Sequence, residues 1–205
     1  MSCTIVLVHG AFAESASWDR VIDPLVAEGH RVVAAANPLR GLSADAAAVS
    51  DLVRTIEGPV VLVAHSYGGA VISNVDSDAG DIAGLVYVNG FAPEPGENCF
   101  QLAGMFPGSM LGPETARPVS LRDGTTDLYI AAGSFHDIFC QDVPAPQAAL
   151  MAATQRPATL QRYMAERADA QRTVAVEGAS HAIAVSRPDA TVHPILEAAA
   201  LRVAA

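Results

Sequence analysis

Three observations predict an α/β class with a mostly parallel sheet and helices on both faces. Short β-branched runs alternate with amphipathic stretches over the first 90 residues, the runs are apolar on both faces, and capping Ser and terminating Gly residues bound the stretches between them. The first run, Ile5-Val6-Leu7-Val8, ends at His9-Gly10 and reads as a buried strand. Trp18, Val21, Ile22, Leu25 and Val26 then share one helical face, with Ser15 or Ser17 as cap, Pro24 as a bend and Gly29 as the stop. Arg31 to Ala35 is the second strand. Ser43 is expected to cap a helix whose Val49, Leu52, Val53 and Ile56 form the apolar face, ended by Gly58-Pro59. Val60 to Ala64 is a third strand, Tyr67 to about Val75 a third helix, and Leu85 to Val88 a fourth strand.

The alternation stops there. Residues 91–157 are rich in Pro and Gly and turn helical near Pro146 to Ala153, as expected of an insertion that covers a site. A helix over Ala158 to Ala168, a strand Thr173 to Val176, a loop Gly178-Ala179-Ser180-His181 and a last helix follow. That helix is read with Ser186 as cap and Val192, Ile195, Leu196 and Ala199 as its apolar face. The expected organisation is one domain over residues 1–205, with a core of 1–90 and 158–205 and a cap of 91–157.

Composition narrows the function classes. With 51% hydrophobic residues and a mean hydropathy of +0.29, the chain is neither disordered nor, for want of an apolar run of about 18 residues, membrane-spanning. All twelve basic residues are Arg, scattered singly against a net charge of −10, so no nucleic-acid or membrane partner is expected and a neutral substrate is favoured. Cys3, Cys99 and Cys140 are odd in number and lack metal-ligand spacing; reduced thiols in a cytoplasm are expected, with no metal and no cofactor. Met1 to Thr4 leads into the first strand without a basic leader, so no cleaved signal is expected. The oligomeric state is open, a homodimer included.

The stretch Val60 to Ala70, VVLVAHSYGGA, sets Ser66 between a buried strand and a helix with small residues at −2, +2 and +3. That is a nucleophile-elbow pattern with Ala64 in place of the usual first Gly. A serine in so tight a turn leaves no room for larger flanking side chains. The helix after it offers the Tyr67 amide to a developing oxyanion. The His9-Gly10-Ala11-Phe12 loop leaves the first strand at the same sheet edge, and its Ala11 amide is the natural second donor. His181, in a small-residue loop after the last strand, reaches that edge too and is the candidate general base. His136 in the insertion is the rival, otherwise a pocket residue. Ser66 as a plain helix cap, and His9-Gly10 as a plain turn, are the bland alternatives.

The segments VLVHGAF, VLVAHSYGGA and EGASHAIAVSRPDA, with LVYVNGFAPEPGE and FHDIFCQDVP, resemble small bacterial α/β-hydrolases related to plant methyl-salicylate-type esterases and hydroxynitrile lyases, from Thr4 to about Ala200. The resemblance implies an α/β-hydrolase fold with a helical cap after the fourth strand, a Ser nucleophile at Ser66, a His base at His181, and oxyanion amides at Ala11 and Tyr67. Cap side chains such as Phe135, His136, Phe139, Met105 and Phe106, with Phe12 beside them, are the expected pocket.

In such relatives a further strand after the cap ends in the catalytic Asp. Here the cap runs at Pro157 straight into Ala158, so a strand with its connections, on the order of 30 residues, is missing from the expected order. The last strand is then expected to pair directly with the fourth, moving His181 by up to about 4.8 Å. Glu94 and Glu97, after the fourth strand, are the replacement acids at the correct edge; Asp123, Asp127 and Asp137 in the cap are further candidates, and Asp169 lies at the wrong edge. Ahead of any one of these acids, a Ser-His dyad or no efficient catalysis is expected. The function expected is a serine hydrolase acting on a small, neutral, largely apolar ester. The alternative is a hydrolase-fold binding protein or degraded enzyme with little turnover. A lyase reaction would call for a cap cation, and the chain has no Lys.

Overall fold

Alternate residues of the first strand point to opposite faces, and both faces are apolar, so the strand must be covered on two sides. The computed structural model describes residues 3–94, 97, 99–104, 110, 112, 114–159, 174 and 176–200, and it meets that demand. Strands β1 (Thr4–Val8), β2 (Arg31–Ala35), β3 (Pro59–His65) and β4 (Asp81–Val88) form a parallel sheet in the order β2-β1-β3-β4. Ile5, Leu7, Val61 and Val63 pack on one side against Trp18, helix α1 (Asp19–Ala27) and the C-terminal helix Pro188–Ala200. Val6, Val8, Val60 and Leu62 pack on the other against helices α2 (Leu42–Arg54) and α3 (Tyr67–Ile72). Each fully buried Val, Leu or Ile contributes about 1.5–3 kcal/mol, which makes these two layers the main source of stability.

Strand register fixes where the loops beyond the sheet meet. Val8 lies beside Ala64 across the β1/β3 pair, so the chain leaves both strands at the same level, and His9-Gly10 emerges next to His65-Ser66. Asn37 beyond β2 reaches the same edge, where its Nδ2 donates to the His9 carbonyl at 2.9 Å.

The cap differs from the helical insertion expected. It contains helix α4 (Cys99–Gly104), an antiparallel sheet β5-β6-β7 (Ala116–Ser120, Thr126–Ile130, Ala158–Thr159), and helices α5 (Ala132–Phe139) and α6 (Ala145–Thr154). The β5/β6 turn is closed by Gly124 at φ 84 and by Asp123, whose Oδ1 accepts the Thr125 amide at 2.9 Å. Asp-Gly between two β-capable runs is a hairpin signal that the Pro and Gly content of the insertion obscured. Ala158 and Thr159 are accordingly strand residues paired with Leu128 and Asp127, not the start of a helix; the rest of that expected helix, 160–168, lies outside the described residues, as does Asp169. Cap and core also meet through Arg40, whose guanidinium pairs with the buried Asp127 carboxylate at 2.9 Å.

Three further expectations change. Ser43 does not cap α2: Asp45, fully buried one turn in, accepts the Arg40 amide at 2.8 Å, the Gly41 amide at 3.3 Å and the Tyr67 hydroxyl at 2.7 Å. Ser186 ends a short helix α7 (Ile183–Ser186) rather than capping the helix Pro188–Ala200, here α8. Val174 and Val176 are not in strand conformation, and among the described residues β4 pairs with β3 alone; Thr173 and Ala175 lie outside them. No helix among the described residues is long and apolar enough to cross a membrane.

Candidate active site

Ser66 joins β3 to α3 at φ 54 and ψ −125, a conformation that non-glycine residues avoid. Such strain costs about 1–3 kcal/mol and persists only where neighbours enforce it. Here they do: the Ser66 amide donates to the Val88 carbonyl, and the Ser66 carbonyl accepts the amides of Gly69 at 2.9 Å and Phe91 at 3.0 Å. The small neighbours have specific causes. A Cβ on Gly68 would stand 2.6 Å from the Val8 carbonyl oxygen, one on Gly69 would strike the backbone of Phe91, and one on Gly10 would stand 2.7 Å from both the His65 carbonyl oxygen and Ser66 Cβ. The elbow and the His9-Gly10-Ala11 loop are therefore in direct contact. Gly68→Ala and Gly10→Ala are each expected to destabilise by about 1–3 kcal/mol, a fall in Tm of about 3–10 °C, whereas Gly133→Ala, in open space on α5, lowers nothing. Thermal melts of the three variants check this.

Ala11 is buried at the β1 end of this contact, and the Tyr67 amide heads α3 on its other side. The Phe12 amide is already engaged by the Arg156 carbonyl at 2.9 Å, and Phe12 takes φ 60 to make that bond. The Tyr67 hydroxyl is anchored on Asp45, away from the backbone turn it belongs to. Burial, then the adjacent Asp45 charge, pushes the Tyr67 phenol well above its usual range, so it stays protonated.

His181 comes to the same edge through His65. His65 Nε2–H donates to the His181 carbonyl at 2.7 Å, and the two ring centroids are 4.7 Å apart. The Phe139 ring from the cap meets His181 edge-on at 5.1 Å. Burial alone holds the His181 imidazole down to about 4, and burial, the His181 charge and the His9 charge hold His65 down to about 3, so both rings are neutral at pH 7. Among the described residues, no carboxylate is hydrogen-bonded to the His181 ring, and no hydrogen bond joins that ring to the Ser66 hydroxyl. No group of three or more His, Cys, Asp and Glu among the described residues stands ready to hold a metal ion.

Several of the other candidate residues have structural partners. Glu97 Oε2 accepts the Glu94 amide at 2.8 Å, Asp123 holds the β5/β6 turn, Asp127 pairs with Arg40, and Asp137 lies on the exposed side of α5. His136 Nε2–H donates to the Val143 carbonyl at 2.9 Å, fastening α5 to the turn before α6. Phe135 is wholly buried in the cap core, 5.0 Å from Phe139. Met105 and Phe106 lie outside the described residues. A small cavity of about 10 Å³, room for about one water molecule, lies between His9, Trp18, His65, Phe139 and Met151.

Sequence reasoning missed His65, Asn89 and Asp142. Asn89 Nδ2 donates to the carbonyls of Ser180 at 3.3 Å and His181 at 3.5 Å, and Asp142 Oδ2 accepts the Ser180 amide at 2.9 Å. Asn89 had a legible signal: Asn-Gly after the fourth strand, at the edge where Ser66 sits, and it takes φ 44. Asp142 had none, because it is 38 residues from its partner.

Comparison with known proteins agrees with this architecture. The curated relatives include a carbendazim hydrolyzing esterase of Nocardioides sp. (strain SG-4G), 34% identical over 110 residues that cover 47% of this chain and 46% of that protein. They also include a pyrethroid hydrolase of Sphingobium wenxiniae, 34% identical over 104 residues, 45% of this chain and 37% of that protein. The matched part thus spans less than half the length of either. Among solved structures, polyneuridine aldehyde esterase superposes with a TM-score of 0.79 at 16% identity, covering 96% of this chain and 99% of that one. Tomato methylketone synthase I gives 0.75 at 19%, covering 96% and 97%. These distant structures share the fold. Residues 5–193 match the sequence profile of the alpha/beta hydrolase family, and the chain belongs to it.

Proposed function

We propose that this protein is a cofactor-free serine esterase acting on a small, neutral, largely apolar ester. The observation that carries the reading is the strained Ser66, held at φ 54 between β3 and α3 with the Gly10-Ala11 turn packed against it and the His181 loop at the same sheet edge. In this reading the Ser66 hydroxyl attacks the ester carbonyl while His181 takes its proton. The Ala11 and Tyr67 amides receive the oxyanion, and His181 returns the proton to the departing alcohol. Water then repeats the sequence on the acyl-enzyme. The relatives named as esterase and hydrolase support this class of reaction. The free thiols of Cys3, Cys99 and Cys140 support a reducing, cytoplasmic setting.

A fluorophosphonate probe is expected to label the wild-type protein at Ser66, and Ser66→Ala to abolish labelling and lower ester hydrolysis about 10²-fold. A folded wild-type protein that takes no label rejects the reading.

One observation favours a second reading. The His181 ring has no carboxylate partner among the described residues. A hydrolase-fold binding protein, or a degraded enzyme with little turnover, would bind an apolar ester and hydrolyse it no faster than a Ser66→Ala control.

A further inference from the structure

Among the described residues no carboxylate is hydrogen-bonded to the His181 ring, yet the backbone on both sides of it is tied to one segment of the cap. The Ser180 amide donates to Asp142 Oδ2 at 2.9 Å, the Ala182 amide donates to the Phe139 carbonyl at 3.1 Å, and the Phe139 ring leans on the imidazole. The core holds the opposite side of the same loop. His65 Nε2–H and Asn89 Nδ2–H both reach the His181 carbonyl, and Asn89 reaches that of Ser180 as well. Amides are gripped by the cap and carbonyls by the core, so the Cα–Cβ direction of residue 181 is set without any contact to its nitrogens.

We propose that the cap segment Phe139–Asp142 positions the His181 imidazole, with Asp142 as a positioning residue that acts through the Ser180 amide in place of an acid on the ring. The inference rests on the reading of His181 as the base and deepens it. Burial pushes the Asp142 carboxyl up, but donors on Ser180 and Ser186 outweigh it and hold the group below its usual range, so the Ser180 bond is charge-assisted at neutral pH. The regular hydrogen bond is the one at Oδ2; Asp142 Oδ1 and the Ser180 and Ser186 hydroxyls, which also favour the charged carboxylate, are buried without a regular partner. An acceptor is therefore what the loop uses, and an amide in that place supplies one too. A group acting through the backbone also leaves the proton affinity of the ring alone, whereas a triad acid does not.

The test uses the full chain with Asp142→Ala and Asp142→Asn. Asp142→Ala is expected to lower kcat for a short ester about tenfold with KM within about twofold and the acid limb of the pH profile unmoved; Asp142→Asn loses about threefold at most. Independently of turnover, diethylpyrocarbonate modification of His181, located by mass spectrometry, is expected to run about tenfold faster in Asp142→Ala and about threefold faster in Asp142→Asn than in wild type. The second variant decides the matter if the first does not fold. Unchanged modification rates overturn the proposal. So does an Asp142→Asn variant as slow as Asp142→Ala with a displaced acid limb, because the charge would then be acting on the ring. If wild type neither turns over nor labels at Ser66, the esterase reading fails, and the modification rates still decide the clamp.

Discussion

His181→Ala is expected to lower kcat for a short neutral ester by about 10²-fold, far less than the same change costs a complete triad. Removing the base or nucleophile of a full triad costs on the order of 10⁶, and removing the acid alone about 10⁴, so a Ser-His dyad would have about 10² left to lose. The His181 ring has no such acid among the described residues, and burial alone accounts for its depressed basicity. Ser66→Ala should cost about the same, and the double variant no more than either, because a nucleophile and its base act as one unit. Glu97→Gln should change kcat less than threefold, its carboxylate being engaged by the Glu94 amide. Steady-state kinetics on the four variants check all of this. A loss near 10⁶ for His181→Ala would mean that a carboxylate reaches the ring during turnover.

Acid is expected to unfold the protein earlier than its carboxylates alone would dictate. His65 and His181 have folded-state pKa values of about 3 and about 4 against 6.5 for a free imidazole. Both shifts are downward, so between those values and 6.5 the unfolded chain binds more protons than the folded one, and stability falls as pH falls. Above 6.5 the contribution is complete; it is lost progressively from about pH 6.5 to pH 3–4. For the buried His65 the loss is on the order of 3–5 kcal/mol, a large part of a typical 5–15 kcal/mol total. The neighbours of this pair, Trp18, Phe139 and His9, supply no negative charge to offset it. Urea midpoints measured at pH 7.5, 6, 5 and 4.5 should fall steadily, and His65→Gln should flatten the slope. A midpoint independent of pH in wild type would contradict the account. Over the range where the fold survives, kcat/KM should keep its pH 7 value down to about pH 5, since a base with a pKa near 4 is still deprotonated there.

The core was legible because its signals are local. Two-sided apolar runs, helical spacing of Val21 and Leu25 or of Val49 and Val53, and small residues around Ser66 each report a constraint satisfied within a few residues, and the sheet results from their alternation. The cap was read less well for the same reason. Its hairpin is marked by one Asp-Gly turn inside a segment where Pro and Gly suggest irregular chain, and β7 is two residues that become a strand only because β6 lies beside them. Ala158 and Thr159 fit a helical pattern in isolation; pairing across the cap overrides it.

For the site, the sequence alone supplied the candidates: Ser66 by its strand-to-helix context, Ala11 by its place after β1, and His181 by its small-residue loop, whose expected preceding strand is not among the described strands. Tertiary structure alone decided what surrounds them. That Gly10 touches the elbow, that His65 donates a hydrogen bond to the His181 carbonyl, and that Asp142 reaches across from the cap to the Ser180 amide are contacts between positions 38 to 116 residues apart in the last two cases. No spacing rule encodes them, because a hydrogen bond needs only about 3 Å in space and is indifferent to the length of chain between its partners.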